Sequence, residues 1–121
     1  MSNIKSRQDL KQYLQNTTCE YTVIKLHANW CGPCKKIGPS VDLLADKCKK
    51  VHGDDFNYIK IDVDNAMDLF AFFKTKKMLK GIPAIFLYKR SDFDEMTFYI
   101  PSEAVLGADM KAIGDLFNEI E

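Results

Sequence analysis

A chain of 121 residues has the length of one domain, and with 46% of them hydrophobic it can bury one core. Charged residues make up 28%, split evenly into 17 basic and 17 acidic, which excludes both a disordered tail and a membrane protein. The formal net charge of zero removes the basic surplus of a nucleic-acid binder and leaves open a local patch of either sign.

From the N-terminus, Met1 to Asp9 carries charges with no apolar core behind them, so no secretory signal is read there. No run approaches the roughly 18 uninterrupted apolar residues of a membrane helix. The expectation is a cytoplasmic protein. Ser6 followed by Asp9 resembles a helix N-cap with an acidic first turn, and Leu10, Tyr13 and Leu14 share a face, which predicts a helix near residues 6–15. Residues 21–28 are rich in β-branched and aromatic side chains and suit a strand. A second helix begins at or just after Cys31, with Ile37, Val41, Leu44, Ala45 and Cys48 close to a 3.6-residue period. Pro39 falls inside it and is expected to kink it.

Residues 57–63 read as another strand, with Tyr58, Ile59, Ile61 and Val63 apolar, and residues 66–77 as a helix carrying Leu69, Phe70 and Phe73. Gly81-Ile82-Pro83 breaks the pattern before the buried-type strand 84–88. Residues 96–100 are expected to be its antiparallel partner across the polar turn 91–94. The last helix spans about 109–120, with Ile113, Leu116, Phe117 and Ile120 facing inward. Strands alternating with helices and closed by a hairpin imply an α/β sandwich whose central sheet is mixed, parallel first and antiparallel last. One domain, residues 1–121, is expected.

Of the four cysteines only Cys31 and Cys34 lie close together, while Cys19 and Cys48 are isolated and expected to be free. A core of this size needs no staples, so the pair reads as chemistry. Disulfide exchange requires a thiolate that attacks and a second thiol that releases the mixed disulfide. Cys-X-X-Cys at a helix start supplies both: the first sulfur meets unpaired N–H groups and the positive end of the dipole, which lowers its pKa. Cys31 is therefore assigned as nucleophile. Cys34, one turn deeper and expected to be more buried, is the resolving thiol. Gly32 is expected to relieve crowding around the sulfurs, Pro33 to fix the first turn, and Trp30 to offer a flat apolar wall. Half of a zinc site is the competing reading, and an inert structural pair another. Zinc wants four soft ligands, and Cys19, Cys48, His27 and His52 are not paired at ligand spacing, so no metal is expected.

The segment Trp30-Cys31-Gly32-Pro33-Cys34-Lys35 followed by Pro39 resembles the active-site helix of the thioredoxin family. Lys60-Ile61-Asp62-Val63-Asp64, Gly81-Ile82-Pro83 and Leu106-Gly107-Ala108 are similar to three further family segments, in the family's order. The resemblance implies a thioredoxin-like three-layer α/β/α sandwich with a mixed central sheet. It implies a cis Pro83 that places the Ile82 backbone to hydrogen-bond an extended substrate segment. Trp30, Pro33, Gly107 and Ala108 would line the rest of that groove. No bound cofactor is implied beyond the redox-active disulfide. The partners implied are disulfide-containing proteins and a thioredoxin reductase or other dithiol donor, with no nucleic acid or membrane, and the chain acting as a monomer.

The sequence departs from the family where a buried Asp is common six residues before the first cysteine; Lys25 stands there. A buried ammonium would favour the thiolate and make the protein more oxidising, whereas a lysine extending to solvent would do neither. Lys25 and Lys60 are the candidates for proton transfer or pKa tuning. His27, four residues before Cys31, is expected to pack or hydrogen-bond, with a proton relay as the alternative. Residues 64–83 and 91–107 are longer than the family usually allows, and Lys74, Lys76, Lys77 and Lys80 in the first bear on partner choice unless they are only a solvated face. The expected function is dithiol–disulfide exchange on protein substrates, most simply as a cytosolic reductase. A thiol oxidase or isomerase and a non-catalytic partner-binding module are the rivals.

Overall fold

In the computed structural model, residues 3–120 are described. The first helix, α1 (Arg7–Asn16), is opened by Ser6, whose hydroxyl accepts from the Asp9 N–H while the Asp9 carboxylate accepts from the Ser6 N–H. This reciprocal cap satisfies two donors that the helix leaves free. Strand β1 (Tyr21–His27) leads to the long helix α2 (Gly32–His52), which runs unbroken through Pro39. After β2 (Phe56–Asp62) comes α3 (Met67–Thr75), ended by Lys77 in the left-handed region at φ 59°. Strands β3 (Ala84–Lys89) and β4 (Glu103–Leu106) and helix α4 (Met110–Asn118) complete the chain.

The four strands lie in the order β2-β1-β3-β4, with β1 parallel to β2 and antiparallel to β3, and β3 antiparallel to β4. Side chains alternate across this sheet, and the two faces are covered by different helices. Ile24, Leu26, Phe86 and Tyr88 pack with Leu10 and Leu14 of α1 and Leu69, Phe72 and Phe73 of α3. On the other face Val23, Ile85 and Leu87 pack with Ile37, Val41 and Ala45 of α2 and Ile113, Leu116 and Phe117 of α4. Burying β1 and β3 on both sides puts the end of β1 in the middle of the sheet, where it delivers the Cys31 turn. The expected sandwich and mixed sheet are present.

One element is corrected. The partner of β3 is Glu103–Leu106, in the register Ala84 to Leu106 and Leu87 to Glu103, and not residues 96–100. That earlier segment is held by other bonds: the Asp94 carboxylate accepts from the N–H groups of Met96 and Thr97. Phe98 stacks on Phe72 at 6.3 Å, and Tyr99 meets Phe72 edge-on at 5.2 Å. The Tyr88 hydroxyl donates to the Tyr99 carbonyl at 2.8 Å. Of the alternating Met96, Phe98 and Ile100, Phe98 packs on α3 while Met96 and Ile100 are exposed, and the segment joins no ladder.

Removing the hydroxyl in Tyr88→Phe leaves the Tyr99 carbonyl without this donor; urea denaturation is expected to show a loss of about 1 kcal/mol. An unchanged midpoint would mean that the bond does not hold the segment.

Candidate functional site

Cys31 is the N-cap of α2, and Pro33 occupies its first turn, where a missing N–H costs nothing. Cys31 and Cys34 form a disulfide. The Cys34 N–H donates to the Cys31 Sγ at 3.2 Å, and the Lys35 N–H donates to the Cys31 carbonyl at 3.2 Å. One orphan donor of the helix start therefore points at the outer sulfur. The sequence expectation that Cys34 is the more covered of the two is not met: both are 4% exposed. Cys31 is shielded by the approach of Ile82, whose carbonyl oxygen lies 3.8 Å from its Sγ. The asymmetry between the sulfurs rests on the hydrogen bond and not on depth.

The bond between Ile82 and Pro83 is cis, as the resemblance implied. The Gly107 N–H donates to the Pro83 carbonyl at 2.8 Å, and Gly107 does so at φ +94°, a conformation that side chains disfavour. The 82–83 segment is thereby clamped between α2 and the end of β4. Ala108 next to it is exposed, as are Gly32 and Pro33. A Cβ at Gly32 would meet nothing within 4 Å, so the crowding that this glycine was expected to relieve does not come from the chain itself. Trp30 is 66% exposed. Its indole N–H donates to the Asp64 carboxylate at 2.9 Å, so the ring is tethered at its polar edge.

Behind the disulfide lies a charge cluster of which the sequence reading found only the lysines. Lys25 does not reach solvent: it is 5% exposed. Its Nζ faces Gly38, one helical turn after Cys34, and a Cβ built there would lie 3.7 Å from it. The counter-charge is Asp42, whose Oδ1 is 3.7 Å from the Lys25 Nζ and whose Oδ2 is 3.5 Å from the Lys60 Nζ. The Tyr58 hydroxyl donates to the same carboxylate at 2.8 Å. Cys34, Gly38 and Asp42 are spaced by four along α2, so they follow one slowly turning stripe that faces β1 and β2. That spacing was the available signal for Asp42.

Burial lowers the Lys25 pKa, opposed by Asp42 and aided by Lys60. For Asp42, burial pushes upward, but the Tyr58 hydrogen bond and the two ammonium groups outweigh it and leave the carboxyl below its usual value. Burial first, then Asp42, keeps the Tyr58 phenol protonated far above its usual range. His27 is held below its ordinary value by burial and by the nearby Lys25, so its ring stays neutral at pH 7. Among the described residues no group of His, Cys, Asp and Glu is placed to hold a metal ion, and no helix is long and apolar enough to cross a membrane. Cys19, whose Sγ lies 3.2 Å from the Asp54 carbonyl, and Cys48, on the α2 face of the core, are free.

Residues 2–111 match the family model for thioredoxin. A thioredoxin of Mycoplasmoides gallisepticum is 29% identical over 102 residues, covering 84% of this chain and 91% of that relative. Thioredoxin-T of Drosophila melanogaster is 28% identical over 119 residues, covering 91% of this chain and 73% of its own length. The X-ray structure of Fasciola hepatica thioredoxin superposes with a TM-score of 0.71 at 19% identity, covering 98% of this chain and 97% of that one, a likeness of fold.

Because Asp42 sits below its usual 3.8, it contributes stability that is complete above that pH and lost as the pH falls through its folded value. Asp42→Asn leaves Lys25 buried with a like charge beside it. It is expected to cost about 1–2 kcal/mol at pH 7, since the half-exposed carboxylate screens the pair. The penalty should vanish in acid denaturation curves taken well below pH 3.8. A penalty independent of pH would assign the loss to packing.

Proposed function

The chain belongs to the thioredoxin family and is a thiol–disulfide oxidoreductase, and from that premise we propose that it reduces disulfides of protein substrates in the cytosol through Cys31 and Cys34. The observation that carries this reading is the sulfur of Cys31 at the start of α2, accepting the Cys34 N–H beside the Ile82 carbonyl. In the dithiol form that N–H and the helix dipole favour a Cys31 thiolate. The thiolate attacks one sulfur of a substrate disulfide, a Cys31–substrate bond forms, and the displaced substrate sulfur leaves with the electron pair. Cys34 then loses its proton to solvent and attacks the Cys31 sulfur; the mixed disulfide breaks, and the second substrate sulfur leaves as a thiolate. The two electrons given to the substrate are those lost in forming the Cys31–Cys34 bond.

The clamped Ile82–Pro83 segment, with Trp30, Pro33, Gly107 and Ala108 around it, is suited to hold an extended chain across the disulfide. Ile82 presents backbone groups at its edge. No bound cofactor is required, because the sulfur pair carries both electrons. A thioredoxin reductase or another dithiol donor would restore the dithiol, with the protein acting as a monomer.

Lys25 favours a second reading, in which the same cysteines work at a more oxidising potential. A buried positive charge one turn from Cys34 stabilises the thiolate of the reduced form and so the dithiol over the disulfide.

Wild type is expected to reduce insulin with dithiothreitol as donor. Cys31→Ser should abolish turnover, and Cys34→Ser should accumulate a substrate mixed disulfide; turnover by Cys31→Ser would remove the assignment. In glutathione buffers Lys25→Asp should become more reducing, with an equilibrium constant changed by about tenfold, or about 30 mV. An unmoved equilibrium would dispose of the second reading and leave the first.

A further inference from the structure

Beyond the Ile82–Pro83 bond, on the side leading to β4, lies an open cleft. Leu79, Ile82, Pro83 and Leu106 form its apolar surface, and Lys77 and Lys80 stand on its rim. Leu79 is buried, but Leu106 is 54% exposed, an uncovered leucine in the same cleft as Ile82, whose carbonyl lies 3.8 Å from the Cys31 Sγ. Lys77 is fixed where α3 ends: its left-handed backbone donates its N–H to the Lys74 carbonyl. Both lysines are exposed, and among the described residues neither forms an ion pair. The cleft therefore carries two uncompensated positive charges in a chain whose formal net charge is zero. At the Trp30 flank of the disulfide the charge is negative, since Asp64 holds the indole there.

We propose that this cleft is a specificity site for the substrate segment adjoining the attacked cysteine, taking an apolar side chain against Leu79 and Leu106 and a carboxylate at Lys77 and Lys80. The occupant is an extended, acidic stretch of a disulfide-bearing protein. An apolar contact alone would admit many sequences, because burying one side chain discriminates weakly between shapes of similar size. The charges add direction: unlike ends attract during encounter, and a basic segment is turned away by repulsion. Each exposed lysine contributes modestly, and the contribution shrinks as salt screens it. Its effect falls on capture of the substrate, so it appears in kcat/KM and not in the chemistry of the sulfurs. The inference rests on Cys31 being the attacking sulfur, as proposed above.

The test uses two short peptides, each with one cysteine disulfide-linked to a chromogenic thiol, one flanked by Leu and Glu and the other by Leu and Lys. Wild type and the double variant Lys77→Glu/Lys80→Glu are compared on both, at low salt and at 0.5 M salt (roughly a 4 Å screening length). The Glu-to-Lys ratio of kcat/KM is expected to fall by about tenfold in the variant at low salt, and the difference to shrink at high salt. The Asp64 flank is common to both proteins and drops out of that comparison. A peptide without flanking charge should be reduced equally by both proteins, which shows that folding and exchange are intact. An unchanged ratio, with that neutral peptide still reduced, overturns the specificity site and leaves the oxidoreductase reading standing. Loss of all reduction by wild type would overturn the oxidoreductase reading itself. If sedimentation shows a dimer that the double variant dissociates while the ratio stays fixed, the cleft belongs to a second copy of the chain and the proposal is wrong.

Discussion

The site depends on one backbone hydrogen bond, from the Cys34 N–H to the Cys31 sulfur at the first turn of α2. A helix start leaves donors without partners, and the chain gives one of them a sulfur. That bond does not require Cys31 to be more exposed than its partner, and the two are in fact equally covered. The difference in reactivity is electrostatic in origin. Moving the cysteine by one residue in either direction would take the sulfur away from the N–H and leave an ordinary buried thiol.

The rest of the fold keeps that turn in place from three sides. Below it, β1 runs between β2 and β3, so the strand that leads into α2 is held on both edges. Beside it, the cis Ile82–Pro83 segment is fixed by Gly107 at the end of β4, which joins the far edge of the sheet to the reacting sulfurs. Behind it, Lys25, Asp42, Lys60 and Tyr58 form a cluster in which one carboxylate serves two ammonium groups and a phenol. A buried lysine is costly, and sharing its counter-ion makes it costlier. Its position against Gly38 sets a positive charge one turn from the resolving cysteine, where charge alters the balance between dithiol and disulfide.

Features built from neighbours in sequence were the legible ones. Ser6 and Asp9 announced α1, and the cysteine spacing with Pro33 announced both the start of α2 and its chemistry. The β-branched and aromatic run of β1 and the unbroken apolar run of β3 placed the two central strands. Misreading set in where tertiary packing outweighed local pattern. Residues 96–100 alternate like a strand, but Phe98 and Tyr99 pack on Phe72. The true β4 is an edge strand with only Val105 buried, so its sequence carries almost no period. Lys25 was recognisable as odd, yet its burial was not decidable from the sequence, because the partner Asp42 sits on α2 and meets it only through the packing of helix on sheet. Gly32 was given a steric role that the structure does not support, since the space above it is open.

The central claim concerns the charge on one sulfur in the reduced protein, and the rate of its alkylation as a function of pH reads that charge directly. With Cys19 and Cys48 replaced by serine, iodoacetamide should modify Cys31 with an apparent pKa at least one unit below the roughly 8.5 of an unperturbed thiol. A titration at or above that ordinary value would contradict the account, because the helix start would then be doing nothing to the sulfur it holds.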